Sequence, residues 1–238
     1  MWALFLVILL DACATKLPLK TPIDTLFFSA GAAPSPTLIV LLPGIGDPPE
    51  TFQAEGFVKA VRERHIDADI VAVRAHFGYY QARTIIERLH QDVVLPAQAK
   101  GYRNIWLVGI SLGGWGSVLY AQQHPQAING MLLLAPFLGE RKVFDEIKAA
   151  GGLESWRPAF VHREDYQRLG LAWLADFKQS EAPLKLHLGY GKNDRFEKPN
   201  GLVGARLPPK QVQVIPGGHD WRTWLKLWQG FLDREALR

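Results

Sequence analysis

The sequence predicts an α/β fold in which a mostly parallel central sheet carries helices on both faces. Short apolar runs rich in β-branched residues recur along the chain, as in strands that are buried on both sides. Segments with apolar residues at helical spacing separate these runs. Because a crossover helix returns the chain to the same end of the sheet, this alternation favours parallel pairing of the strands.

The strands and helices are predicted from these two patterns. Buried strands are expected at 37–42, 69–73, 105–110, 130–135, 184–190 and 211–215, with one further strand near 25–28. Helices are expected at 51–65, 81–97, 112–123 and 220–237. Residues 13–35 form an N-terminal lead, and the main domain is expected to span 36–238. Within it, 137–183 is longer than a usual connection and rich in aromatic residues, so we expect a small helical lid there.

Composition limits the class of protein. The 238 residues suit one domain, and 48% hydrophobic with 21% charged residues is ordinary for a globular chain. The net charge is +4, but Lys and Arg are spread along the chain, so nucleic acid is not an expected partner. The single cysteine excludes a disulfide within the chain, and the seven histidines lack metal-ligand spacing. We therefore expect neither a metal nor another cofactor.

The N-terminus begins with an apolar run from Trp2 to Leu10, which is too short for a membrane span of about 20 residues. The run has the length of the apolar core of an export signal, so residues 1–12 are expected to be a signal peptide. The following residues, Asp-Ala-Cys, resemble the end of a bacterial lipoprotein signal, which makes Cys13 a candidate for lipidation. This resemblance implies export to the periplasm or cell envelope and attachment to a membrane. The alternative is a cytoplasmic protein whose first strand ends in a buried cysteine.

The strongest chemical signal is the segment 109–114 (GISLGG), which lies between a predicted strand and a predicted helix. G-x-S-x-G in this setting is typical of a nucleophile elbow, a strained turn that exposes the serine hydroxyl. Glycines stand at the flanking positions because the turn is too tight for side chains there. The N-terminal end of the helix favours the anion that develops at Ser111. The alternative is a glycine-rich turn with a capping serine.

A serine nucleophile needs a base to take its proton and a carboxylate to orient that base. His219 follows the last predicted strand, in the glycine-containing segment 216–221 (PGGHDW), and is the predicted general base. Asp194 follows the strand at 184–190 and is the predicted orienting acid. Asp220 competes for that role, but as the neighbour of His219 it is expected to cap the last helix.

From about residue 36 onward, the segments GISLGG, GYGKND and PGGHDW resemble the α/β-hydrolase family, and the last is similar to bacterial esterases. The resemblance implies a serine hydrolase in which Ser111 attacks an ester or thioester carbonyl. It also implies an oxyanion hole built from two main-chain N–H groups, those of Leu112 and Ile45, with Gly46 as the alternative to Ile45. The family often has His-Gly in that loop, where this chain has Pro-Gly.

The expected partner is a small-molecule acyl ester or thioester. Aromatic residues near the motif ends are candidates for an acyl-binding lining that suits a medium acyl chain; they are Phe77, Tyr79, Tyr80, Trp115 and Trp221. Three alternatives stay open at this level: an acyltransferase that uses the same triad, a peptidase, and a non-catalytic binding protein with the same fold.

Overall fold

The computed structural model describes residues 17–234, except positions 32, 34, 159–161 and 163, together with Leu237. The predicted signal peptide and Cys13 lie outside the described residues. No helix in the described part of the chain is long and apolar enough to cross a membrane.

A seven-stranded sheet with the order β1-β3-β2-β4-β5-β6-β7 organises the molecule. Its strands are β1 (Thr25–Phe28), β2 (Thr37–Leu42), β3 (Asp69–Val73), β4 (Asn104–Ile110), β5 (Gly130–Leu134), β6 (Lys185–Gly191) and β7 (Val212–Ile215). Neighbouring strands are parallel, except that the edge strand β1 runs antiparallel to β3. The predicted fold class is confirmed, and the ends of the six predicted parallel strands are right to within one residue.

The helices are α1 (Thr51–Ala54), α2 (Phe57–Glu63), α3 (Phe77–Gln81), α4 (Ile85–Arg88), α5 (Leu95–Ala99), α6 (Leu112–Gln123), α7 (Arg141–Ala149), α8 (Tyr166–Asp176), α9 (Glu197–Gly204) and α10 (Trp221–Leu232). A π-helical stretch, Leu89–Val94, joins α4 to α5, and a short 3₁₀ helix, Pro209–Gln211, precedes β7.

The central strands are buried along almost their whole length because helices cover both faces of the sheet. Every residue of β2 and of β5 is buried. Helix α6 packs against β4 and lies beneath α4 and α8, while α10 packs with α2 against β5 and β6. This enclosure explains the apolar sequence of α6, in which every residue from Leu112 to Ala121 is buried.

The helices differ from the prediction in five places. Helix α3 was not expected, because the predicted helix began only at residue 81. The single helix expected at 51–65 is wrong, because the chain breaks at Gly56, where φ is +85°. The helix expected at 81–97 begins only at Ile85 and continues to Ala99 through the π-helical stretch. The last helix ends at Leu232 rather than at residue 237. Helix α9 was not expected, because its sequence contains a proline and two glycines that conceal a helical pattern.

The segment 137–183 contains α7 and α8, and α8 packs against α6. The first turn of α8 and the two residues before it line the same cavity as three residues of α6, and the expected lid stays a prediction. The carboxyl ends of β2, β4, β6 and β7 lie at the same edge of the sheet, and the loops that leave them carry the predicted site residues.

Candidate active site

Ser111 lies at the turn between β4 and α6 with φ +50° and ψ −111°, a backbone conformation that side-chain-bearing residues rarely adopt. The turn is as tight as the motif predicts. A Cβ added to Gly109 would lie 2.3 Å from the Gly113 carbonyl oxygen, and one added to Gly113 would lie 2.2 Å from the Leu42 carbonyl oxygen. Strain of this kind costs about 1–3 kcal/mol and is found mainly at functional sites.

The three predicted triad residues are brought together by the fold. The Oγ atom of Ser111 lies 3.0 Å from Nε2 of His219. On the other side of the imidazole, Nδ1 lies 2.9 Å from Oδ2 and 3.1 Å from Oδ1 of Asp194. Ser111 is 4% exposed, and the side chains of His219 and Asp194 are 11% and 0% exposed. Water therefore competes little with these hydrogen bonds.

Main-chain hydrogen bonds fix the acid and base loops to one another. The Asn193 N–H donates to the Gly217 carbonyl oxygen at 2.9 Å, so the loops after β6 and β7 cannot separate freely. The Phe196 N–H donates to Oδ1 of Asp194 at 2.7 Å. This bond holds the carboxylate with its other oxygen directed at the imidazole.

Two aromatic rings hold the His219 ring edge-on. The Phe196 ring centroid lies 5.0 Å away at 88°, and that of Trp224 lies 4.9 Å away at 89°. Sequence reasoning missed both residues, because ordinary helix and turn patterns explain an aromatic residue at each position. Asp220 begins α10 as expected, since its carboxylate accepts a hydrogen bond from the Thr223 N–H. This bond is the main cause that lowers the pKa of Asp220.

The predicted oxyanion donors flank the nucleophile. Leu112 is the first residue of α6, so its N–H has no acceptor within the helix. Ile45 lies in the loop after β2, beside Gly44, where an added Cβ would lie 3.7 Å from the Cβ of Ser111. Ile45 is 55% exposed, and the alternative donor, Gly46, is exposed as well. The loop that contains Ile45 and the first residue of α6 therefore both lie next to Ser111, and their role as oxyanion donors stays a prediction.

A cavity of about 320 Å³ reaches Leu112, the residue after the nucleophile, although Ser111 itself does not line it. Its wall includes Leu112, which follows Ser111 in sequence, and Phe137, whose N–H donates to the Ser111 carbonyl oxygen at 3.0 Å. From there it extends along α6 to Leu119, about 10 Å away at 1.5 Å per residue. The rest of the lining combines aromatic and aliphatic side chains with polar and charged ones. The apolar members are Phe77, Tyr80, Ile85, Ile86, Trp115 and Tyr166, and the polar members are Gln81, Arg83, Glu164, Asp165 and Gln167. The volume is at the lower end of the usual range for ligand pockets.

The aromatic residues expected to contact substrate separate into two groups. Phe77, Tyr80 and Trp115 line the cavity. Tyr79 is instead 2% exposed in the core, where its hydroxyl accepts from the Lys20 N–H at 2.8 Å, and we do not retain it as a substrate contact. Trp221 does not line the cavity and packs edge-on against Phe52.

Asp47, at the end of the loop that contains Ile45, was not expected to belong to the site. Burial raises the pKa of its carboxyl group, and contact with the Trp221 indole and the proximity of His219 lower it in part. From the sequence alone, an aspartate before two prolines indicates only a turn. Among the described residues, no group of three His, Cys, Asp or Glu side chains could hold a metal ion.

The arrangement can perform acyl transfer. A carboxylate only accepts hydrogen bonds, so Asp194 requires the proton of the neutral imidazole to lie on Nδ1. Nε2 is then free to accept the Ser111 proton while the oxygen attacks a carbonyl group.

Comparison with known proteins agrees with the fold. A model described as the alpha/beta hydrolase family matches residues 39–235. No curated protein is similar enough in sequence to be matched.

Several solved structures share the fold. A ferulic acid esterase superposes with a TM-score of 0.59 at 16% sequence identity, over 85% of this chain and 86% of that one. A fluorophosphonate-binding serine hydrolase of Staphylococcus aureus gives 0.55 at 15% identity, over 87% and 86%. An esterase of Butyrivibrio proteoclasticus with ferulic acid bound gives 0.55 at 14%, over 89% and 95%. At these identities the similarity establishes the fold alone.

Proposed function

The chain belongs to the alpha/beta hydrolase family, and on that premise we propose that it is a serine hydrolase that cleaves small carboxylic esters or thioesters. The observation that carries the proposal is the continuous contact from the Ser111 hydroxyl through the His219 imidazole to the Asp194 carboxylate, at 3.0 and 2.9 Å. The esterases and hydrolases among the similar structures support the hydrolase class.

In the first half-reaction, Ser111 Oγ bonds to the substrate carbonyl carbon and its proton passes to Nε2 of His219. The carbonyl oxygen becomes an oxyanion, which the N–H groups of Leu112 and Ile45 stabilise, and such a donor typically contributes about 2.7–4 kcal/mol. The bond to the leaving group then breaks, and the alcohol or thiol takes the proton from His219. An acyl-enzyme remains on Ser111.

In the second half-reaction, water attacks the acyl-enzyme and gives a proton to His219. The oxyanion forms again at the same N–H groups and collapses with cleavage of the bond to Ser111 Oγ. The carboxylic acid leaves, and His219 returns the proton to the serine.

The cavity beside Leu112 is the proposed acyl-binding pocket. Its aromatic and aliphatic wall favours apolar groups, and burial of each methylene contributes about 0.8 kcal/mol, or about fourfold in kcat/KM. We therefore expect kcat/KM to rise with acyl chain length until the chain reaches Leu119.

The test combines a fluorophosphonate probe with a panel of p-nitrophenyl esters from acetyl to decanoyl, extended by a ferulate ester because of the similar structures. The wild type should label and turn over, whereas Ser111→Ala should do neither. Ser117→Ala, which changes the one serine within α6, is the matched control and should keep both activities. Turnover by Ser111→Ala would overturn the proposal, and ester formation with an added alcohol would instead identify an acyltransferase.

The pocket is tested separately with Leu119→Trp, which fills its far end. Turnover of the acetyl ester should stay within about threefold of wild type, while the advantage of octanoyl over butyryl, about fourfold per methylene, should disappear. An unchanged chain-length profile would place the acyl group elsewhere.

A further inference from the structure

The acyl-binding pocket has a buried side and an exposed side. Leu112, Trp115 and Leu119 on α6 form the buried side, and each of them is at most 8% exposed. Arg83 and Glu164 line the same cavity, but their side chains are 48% and 63% exposed. The pocket therefore meets solvent where these two charged side chains lie.

Arg83 connects the two segments that border this opening. Its guanidinium carbon lies 5.5 Å from the centroid of the Tyr166 ring, and one of its nitrogens lies 3.6 Å from the Glu164 carboxylate. Arg83 belongs to the turn between α3 and α4, whereas Glu164 precedes α8 and Tyr166 begins it. One side chain thus spans the opening between the two segments.

The main chain of Arg83 is fixed in a strained conformation. Its φ is +60°, in the left-handed region that residues other than glycine rarely adopt. Its N–H donates to the Tyr80 carbonyl oxygen at 3.1 Å, and the next N–H, that of Thr84, donates to the Tyr79 carbonyl oxygen at 2.9 Å. Such strain persists where the surrounding structure fixes it and is found mainly at functional sites. An arginine at a position that suits glycine indicates that its side chain is used.

The start of α8 is fixed as well, and its charges are matched. The Asp165 carboxylate lines the cavity, but it accepts hydrogen bonds from the Arg168 main-chain N–H at 3.1 Å and from the Arg168 guanidinium at 2.5 Å. These bonds hold the first turn of α8 in place and compensate the charge of Asp165. Arg83 and Glu164 compensate one another in the same way. The charged residues of the lining therefore leave no unmatched charge for an ionised acyl group.

We propose that Arg83, held by Glu164 and Tyr166, is a specificity-determining residue that closes the exposed side of the acyl-binding pocket and restricts it to narrow, uncharged acyl groups. The inference rests on the proposed function and deepens it by naming the acyl groups that the site accepts. An extended chain needs only the space along α6, whereas a ring also needs the space that the guanidinium occupies. Because an exposed ion pair and an exposed cation–π contact are each weak, the bridge can open to admit a substrate.

The experiment compares kcat/KM for p-nitrophenyl octanoate and p-nitrophenyl cyclohexylacetate, whose acyl groups have the same number of carbons but differ in width. Arg83→Ala should raise the ratio of cyclohexylacetate to octanoate by about tenfold, since a pocket distinguishes groups that differ by one methylene by about 10- to 200-fold. Arg83→Gly should do the same, and glycine suits the left-handed backbone, so the fold should be retained. The matched control is Arg141→Gln, which removes an exposed arginine that lies 3.9 Å from Asp145 and does not line the cavity; it should leave the ratio unchanged.

The ion pair is tested separately with Glu164→Gln, which keeps the size of the side chain but removes its charge. The ratio should rise by about threefold, because the contact of Arg83 with the Tyr166 ring remains. In the wild type, raising the salt concentration from about 0.02 to about 0.5 M should raise the ratio by a similar factor, since salt screens an exposed pair. The ratio of Glu164→Gln should not respond to salt.

A ratio within twofold of wild type in both Arg83→Ala and Arg83→Gly would overturn the inference, as would a wild-type ratio in Glu164→Gln. It would also be overturned if the wild type preferred the p-nitrophenyl monoester of suberic acid to the octanoate and Arg83→Ala lost that preference, because Arg83 would then bind an anion. Fluorophosphonate labelling at Ser111 is measured in every variant. A wild type that does not label would refute the proposed function, whereas normal labelling with an unchanged ratio refutes only the assignment of Arg83.

Discussion

Asp194→Asn should inactivate the protein through the tautomer of His219, although it changes only one atom of the side chain. The Phe196 N–H donates to Oδ1 at 2.7 Å, so that position must remain an oxygen. The amide nitrogen of the variant then takes the place of Oδ2, which lies 2.9 Å from Nδ1. Because an amide NH₂ group donates, Nδ1 would have to accept, and the imidazole proton would move to Nε2.

With its proton on Nε2, the imidazole points a donor at Ser111 and cannot take the serine proton across the present 3.0 Å contact. The Asp194 side chain is fully buried, so no bulk water replaces the lost carboxylate. We expect kcat to fall by about 10⁴-fold. This fall corresponds to about 5.5 kcal/mol of activation free energy at about 1.36 kcal/mol per factor of ten.

The assay is initial-rate hydrolysis of an activated acetyl ester, with the rate of fluorophosphonate labelling as a second readout and a thermal melt as the check on folding. Asp220→Asn is the matched control, since Asp220 is the carboxylate next to His219 in sequence but caps α10 instead. Asparagine also caps helices well, so this variant should stay within about threefold of wild type. A folded Asp194→Asn protein with kcat within tenfold of wild type would refute the assignment of Asp194 as the orienting acid.

Two further predictions concern stability and the N-terminus. Asp220→Ala removes the N-cap of α10 and should lower the free energy of unfolding at pH 7 by about 1 kcal/mol, or the Tm by about 2–4 °C. The Thr223 N–H lowers the pKa of Asp220 below its ordinary value of 3.8. The stabilisation by the charged cap is therefore present above pH 3.8 and is lost as the pH falls through the lowered pKa. If the Tm difference between wild type and Asp220→Ala were the same at that acid pH as at pH 7, the capping account would be contradicted. Lipidation of Cys13, proposed from the sequence alone, predicts that the protein partitions into detergent after expression in a bacterium and that Cys13→Ser abolishes the partitioning; aqueous behaviour of the wild type would refute it.

The similarity of predicted and observed strands has a simple origin. A strand covered by helices on both faces must be apolar at every position, and runs such as 37–42 satisfy that condition locally. The ends of helices depend less on the local sequence than the strands do. The break at Gly56 depends on a left-handed backbone, and the end of α10 depends on where its apolar face stops packing.

The triad was predictable because each member follows a strand, and carboxyl ends of parallel strands meet at one edge of a sheet. The lining of the cavity was less predictable from the sequence. Phe77, Tyr80 and Trp115 were expected from their positions near motifs, whereas Phe137 and Tyr166 come from a long insertion with no periodic signal. Tyr79, adjacent to Tyr80 in sequence, faces the core, and only the orientation of α3 separates the two side chains.

By itself, the sequence determined the sheet, the nucleophile turn and the candidates for acid and base, because apolar runs and glycine spacing act over a few residues. The tertiary structure alone decided which side chains meet. The anchoring of Asp194 by Phe196 and the rings that hold His219 depend on side-chain packing and on loops meeting in space. Such contacts have no period along the chain, since the distance between residues in space is set by the folded core rather than by their separation in sequence.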